Sequence, residues 1–207
     1  MKKELTNNTK MRVAATIVIS AIAMRLVPHI PNFAPVTAAA LFGAAYLPRR
    51  YALITPLLIM AVSDYLLLYV NPFGHPAVDL SHLQPLSAMF NGTTAWVWGS
   101  FMISGLLGLS LRRKPGALRI GATSLTASVQ FFLITNFGVW AAGAYARDLS
   151  GLAASYVAGL PFFRWTALGD LFYTACFFGL YALVLRPESF ALRLSRLRQG
   201  RQIQRQT

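Results

Sequence analysis

Four polar side chains, Arg25, Asp64, Asn136 and Asp170, stand inside long apolar stretches of the sequence. A guanidinium, two carboxylates and an amide form a set suited to gripping a small polar solute through charge-assisted and bidentate hydrogen bonds. An ionised group in hydrocarbon is costly unless it is paired or reaches water, so these residues should face a bundle interior or a cavity. His29 follows Arg25 by four residues and prolongs a polar stripe on the same helical face. Two roles are open for the arginine: it pairs with Asp64 or Asp170 and ties helices together, or it orients a ligand with them.

A second pattern runs from Gln130 to Trp140. Phe132, Asn136 and Trp140 recur every four residues and share one face of a helix. An amide between two aromatic rings could hold a flat heterocycle by stacking and a bidentate hydrogen bond, although a tryptophan near a membrane boundary is also an ordinary anchor. Trp96, Ser100, Ser104 and Gly108 share another face, whose small groups favour close helix packing; Trp96 either closes an external cavity or marks the interface.

Other chemistry lacks its residues. His75, Asp79 and His82 sit in one loop, but no HExxH or paired-cysteine spacing accompanies them, and no metal is expected. There is no GxxxxGK[ST] segment, which argues against nucleotide hydrolysis by a P-loop, and no recognised catalytic spacing, so an enzyme is not expected and no cofactor is implied. Cys176 is the only cysteine, which rules out an internal disulfide.

The elements that would position these groups are read from hydrophobicity. Of 207 residues 56% are hydrophobic and 12% charged, about half the charge of a soluble domain. The net charge of +13 could suggest nucleic acid, but the nineteen Lys and Arg fall almost wholly into short clusters between apolar stretches, as in the cytoplasmic loops of a membrane protein. The stretches predict six spans, at about 11–27, 33–47, 51–70, 93–111, 118–142 and 165–185. The first is read as uncleaved, although Ala21-Ile22-Ala23 imitates a signal-peptide site. The second is short, with Asn32 as its expected cap, and its Ala and Gly content predicts a helix internal to the bundle. Residues 143–164 read as an external loop lying at the interface or dipping partly inward. Sixteen of the nineteen basic residues then lie on one side and only Arg147 and Arg164 on the other, which places both termini in the cytoplasm. The expected fold is an all-α, six-transmembrane-helix bundle over residues 1–187 with a basic cytoplasmic tail, 188–207.

The stretch Arg25-Leu-Val-Pro-His-Ile-Pro-Asn-Phe-Ala-Pro35, with Ala39-Ala-Leu-Phe-Gly43, Pro56, Ser63-Asp64, Phe131 to Trp140, Gly159 to Phe163 and Gly169-Asp170, resembles a family of uncharacterised bacterial integral membrane proteins. That family in turn resembles the substrate-binding S components of energy-coupling factor importers. The resemblance covers about residues 12–185. It implies a bacterial inner or plasma membrane protein that binds a vitamin-like or other small nutrient on the external side. Uptake would draw on a separate transmembrane coupling subunit and two cytoplasmic ATPases. It also implies a small-residue face on the first helix for the coupling subunit, for which Ala14, Ala15 and Ala21 are available. Arg25, Asn32, Asp64, Asn136, Trp140 and Asp170 match the family's motif positions. The competing readings are an autonomous secondary transporter, with a proton or ion coupled through Asp64 or Asp170, and a structural or assembly subunit.

Overall fold

The computed structural model describes residues 7–74, 78–113 and 116–185. They form six α-helices: α1 (Asn7–Leu26), α2 (Val36–Tyr46), α3 (Tyr51–Leu66), α4 (Thr94–Gly108), α5 (Ala117–Ala141) and α6 (Leu149–Leu185). Two 3-10 turns, Leu86–Met89 and Leu109–Arg112, precede and extend α4. The basic tail predicted for 188–207, and His75, lie outside the described residues.

The helices are sorted in the manner of a protein dissolved in lipid. Ser100, Ser104, Ser124 and Ser128 are fully buried, while Leu58, Leu133, Leu168 and Phe172 are about half exposed on helix surfaces. Small polar groups pack inside and large apolar ones face out because lipid, unlike water, offers those side chains no penalty. Three helical segments are long and apolar enough to cross a membrane by length and composition: Thr94–Arg112, Ala117–Ala141 and Leu149–Val184. Val36–Tyr46 and Tyr51–Leu66 are shorter apolar helices. The chain is therefore an all-α, multi-pass membrane protein of six helices, with three candidate spans among them.

α2 is the axis of the bundle. Every residue from Val36 to Ala45 is buried, as its alanines predict. Gly108 of α4 lies against Leu41, and Gly43 of α2 against Thr55 of α3. Pro56, inside α3, has no N–H to offer the carbonyl of Ala52, and Gly105 of α4 packs directly on that carbonyl. Phe42 forms edge-on ring contacts with Phe177, Phe178 and Tyr181 of α6. At the basic end of the bundle, Arg112 Nη1 donates to the carbonyls of Ala44 (2.6 Å) and Leu47 (2.7 Å). A cation thereby satisfies carbonyls that the end of α2 leaves without helical partners. Arg112→Ala is expected to destabilise the protein by about 1.5–3 kcal/mol, the range for hydrogen bonds from a charged donor; denaturation in detergent checks this, and Arg112→Lys should recover part of it.

Two sequence expectations are corrected here. Only 143–148 of the expected loop 143–164 is a connection: α6 begins at Leu149 and runs unbroken for 37 residues through Pro161. Gly151, Gly159 and Pro161 read as breaks, yet they serve as contact points or are absorbed in the helix. Gly151 fits against the backbone of Ala146 and Gly159 against Asn136. The helix starts where it does because Asp148 caps it, Oδ1 accepting from the amide of Gly151 (2.7 Å) and the hydroxyl of Ser150 (2.7 Å). Those bonds hold the Asp148 carboxyl below its ordinary range, the Gly151 amide foremost. Asn32, in turn, does not cap α2. It takes a left-handed conformation, φ 65°, which asparagine tolerates in a turn, and Pro35 occupies the N-cap position.

Candidate functional site

Arg25 in the last turn of α1 and Asp64 near the end of α3 meet where the helices converge on segment 67–93. Arg25 Nη1 donates to Asp64 Oδ1 at 2.8 Å and to the Ser63 hydroxyl, and it lies 3.4 Å from the Met60 sulfur. The other carboxylate oxygen, Oδ2, accepts from the indole N–H of Trp98 on α4 at 2.8 Å. Ser63 also donates to the carbonyl of Ile59 (2.5 Å), one turn back in its own helix. One acid thus joins three helices, with both oxygens occupied by donors from different elements. The pair is largely shielded, its side chains 17% and 19% exposed.

A recess of about 310 Å³ opens over this pair. Arg25, Met60 and Asp64 form part of its wall, Thr94, Val97 and Trp98 of α4 another part, and Met89, Asn91 and Thr93 border it from the connecting segment. This border is held in shape by Asn91, whose Oδ1 accepts from the amide (2.9 Å) and hydroxyl (2.7 Å) of Thr93 while its own amide donates to Thr94 Oγ1 (2.9 Å). Phe90 packs on Trp98 with ring centroids 5.7 Å apart. A larger hollow of about 420 Å³ is bounded by residues 67–73 and Asp79, a single connection folded on itself, without a second charged group. The Arg25 recess is the better built: its walls come from three helices, and Nη2 and Nε of Arg25 have no acceptor among the described residues. Those donors suit an acceptor group such as a carboxylate or carbonyl, and the methionines supply a compliant apolar surface.

Of the nine residues singled out in the sequence, the fold brings only Arg25 and Asp64 together. His29 turns aside: its Nδ1 contacts the carbonyl of Val27 (2.7 Å), and its ring lies 5.3 Å from Phe73. Asn32 is exposed in its turn. Trp96 packs on Gly138 and edge-on to Phe137, closing the α4–α5 seam rather than the recess. Gln130 crosses the same seam, Nε2 donating to the Ser100 carbonyl and the Ser104 hydroxyl, each at 3.0 Å.

The shared face of Phe132, Asn136 and Trp140 exists, but α6 and the turn before it cover it. Phe132 meets Tyr156 and Phe163, Asn136 lies on Gly159, and Trp140 Nε1 donates to the Ala146 carbonyl at 2.9 Å. That face is open to a heterocycle only if 143–164 is a loop throughout, which it is not. Asn136 Nδ2 donates to Phe132 in its own helix, 2.8 Å away. Asn136→Ala is therefore expected to change stability by less than about 1 kcal/mol and to leave binding at the Arg25 recess unaltered; a thermal melt with and without solute tests both.

Asp170 lies elsewhere, 2% exposed at the junction of α2, α5 and α6, and accepts from Ser128 at 2.7 Å. In the connecting segment, Asp79 spends its Oδ1 on the amide (2.9 Å) and hydroxyl (2.6 Å) of Ser81, which keeps its carboxyl below the ordinary range. Among the described residues no group of three His, Cys, Asp or Glu could hold a metal ion.

Trp98 is the functional contact that sequence reasoning missed. It stands two residues from Trp96 and so on the opposite side of α4, toward α3. A buried indole N–H needs an acceptor, and Asp64 is the carboxylate at matching depth.

These features define a multi-pass helical membrane protein with a paired acid and base beneath a recess at one end. The chain belongs to the family of unknown function DUF6580, whose model matches residues 5–192. No curated protein and no solved structure matches it.

Proposed function

We propose that this protein captures a small polar solute in the Arg25 recess, from the external side of a bacterial inner membrane, as the first step of its uptake. The observation that carries the reading is the combination of an Arg25 side chain with unspent donors and a cavity of about 310 Å³, within the range of small-molecule pockets, about 300–1,000 Å³. Asp64 and Trp98 fix the guanidinium in place before a ligand arrives, which lowers the ordering cost of binding. The basic clusters at the far end of the bundle support an outward-facing recess with both termini in the cytoplasm, in the six-span arrangement.

Energy from a separate coupling subunit and two ATPases belongs to the same reading, supported by the resemblance of the chain's family to S components and by the lack of a P-loop sequence in this chain. Ala14 and Ala21 are fully buried within the bundle, so a coupling subunit would have to dock on another face of α1 or on another helix. The chain acts here as a binder rather than an enzyme.

The test is thermal stabilisation of detergent-purified protein across a panel of small carboxylates, amides and vitamins, with native mass spectrometry of gently extracted material. A true ligand at a hundredfold excess over its Kd should add about 2.7 kcal/mol to stability. If no compound stabilises the protein and none is retained, the recess is a structural joint and the reading fails.

A further inference from the structure

Among the described residues Asp170 has no cationic partner. It is 2% exposed, and Ser128, Ser124, Thr37 and Thr174 around it are equally buried. The ion pair between Arg25 and Asp64 is the only one among the described residues, so Arg25 is already committed to another acid. The groups facing Asp170 from the elements packed on it are hydroxyls: Thr37 from α2, Ser128 from α5, and, one turn further along α6, Thr174 bonded to Ser124. Phe33 lies against Gly169, the residue before Asp170.

A lone negative charge in such surroundings is costly even with hydroxyl donors beside it. With no basic side chain paired to it among the described residues, the balancing charge must come from solution. The hydrogen-bond pattern agrees. Ser128 has one hydroxyl hydrogen but two acceptors within reach, Asp170 Oδ2 at 2.7 Å and the Ser124 carbonyl at 3.1 Å. It can satisfy only one of them against a bare carboxylate. If the carboxyl carries a proton, Asp170 donates to Ser128 and Ser128 donates to Ser124, and both contacts become hydrogen bonds. If Na⁺ sits there instead, the carboxylate and the hydroxyl lone pairs are hard oxygen ligands and Ser128 again turns its hydrogen to Ser124.

The geometry points to Asp170, with Thr37 and Ser128, as a site for one exchangeable monovalent cation, a proton or Na⁺, at the α2–α5–α6 junction. The site shares no residue with the Arg25 recess and does not rest on solute capture. Asp64 is excluded from the same role because Arg25 already neutralises it. A cation held between the central helix and the longest one stands where its loss would loosen α2 against α6.

Infrared spectra of the full-length protein in lipid nanodiscs, in Na⁺-free buffer at neutral pH, decide the matter together with melting curves in choline and in Na⁺. A resident proton gives a protonated-carboxyl band that shifts in D₂O, is lost in Asp170→Asn and is insensitive to Na⁺. A resident Na⁺ gives stabilisation on replacing choline with Na⁺ that is lost in Asp170→Asn. Should that variant misfold, Ser128→Ala serves in its place, with a displaced band or a higher Na⁺ requirement expected. The proposal is overturned if the wild-type protein shows neither the band nor the Na⁺ response, or if the band fails to shift after prolonged exchange.

Discussion

Asp64→Ala is expected to destabilise the protein by about 3 kcal/mol, and Arg25→Ala by a similar amount. Breaking a buried ion pair from one side typically costs about 3–5 kcal/mol because the surviving charge is left unmatched; side chains 17% and 19% exposed put this pair at the lower end. Asp64→Ala also strands the Trp98 indole N–H, while Arg25→Ala leaves a carboxylate held by one indole and strips Ser63 of its cationic neighbour. The double variant should be less destabilised than the sum of the two, since no lone charge remains. Trp98→Phe separates structure from binding: it keeps the aromatic wall, removes one donor from Asp64, and should cost about 1–2 kcal/mol. Chemical denaturation in detergent checks all four proteins. Equal and additive losses would mean that the two side chains do not interact in the folded protein.

How much of this was legible beforehand follows from what enforces each feature. Hydrocarbon tolerates neither Arg25 nor Asp64 alone, so their pairing was one of the few arrangements open to them, and the sequence reading contained it. The burial of α2 was equally legible, because Ala38-Ala39-Ala40 and Gly43-Ala44-Ala45 are of use chiefly where backbones approach closely. The extent of α6 was hidden because glycine and proline are breakers only on average. Gly151 and Gly159 are instead the places where other chain segments press on the helix, a tertiary fact with no local trace, although Asp148 three residues ahead of Gly151 was a readable cap. A loop over 143–164 leaves the aromatic face around Asn136 open for a ligand, whereas the helix from Leu149 closes it. Asp170 was legible as a costly group but not as one without a counter-charge, since which acid Arg25 takes depends on helix packing.

The seam of α4 against α2 and α3 offers the other large effect. A Cβ at Gly108 would stand 2.7 Å from both the Cα and the carbonyl oxygen of Leu41, and 2.8 Å from the Ala44 side chain; one at Gly105 would run into the carbonyl oxygen of Ala52. Three of these four obstacles are backbone atoms and cannot rotate away, so the helices themselves must separate. Overpacking of this kind typically costs about 1–3 kcal/mol even where side chains can adjust. Gly105→Val and Gly108→Val, each with a branched side chain and no adjustable neighbour, should each reach or exceed the upper figure and lower the yield of folded protein. Gly99 on the same helix and Gly121 on α5 are the controls, for a Cβ there meets nothing within 4 Å. Gly99→Ala and Gly121→Ala should be neutral or stabilising by up to about 1 kcal/mol through helix propensity. The contrast is what thermal unfolding in detergent would read: if the seam and control variants melt alike, α4 does not approach α2 as closely as Gly108 implies. The recess depends on that approach, because Trp98 reaches Asp64 only while α4 lies tight on α3, so a Gly105 variant that still folds should also weaken any solute binding over Arg25.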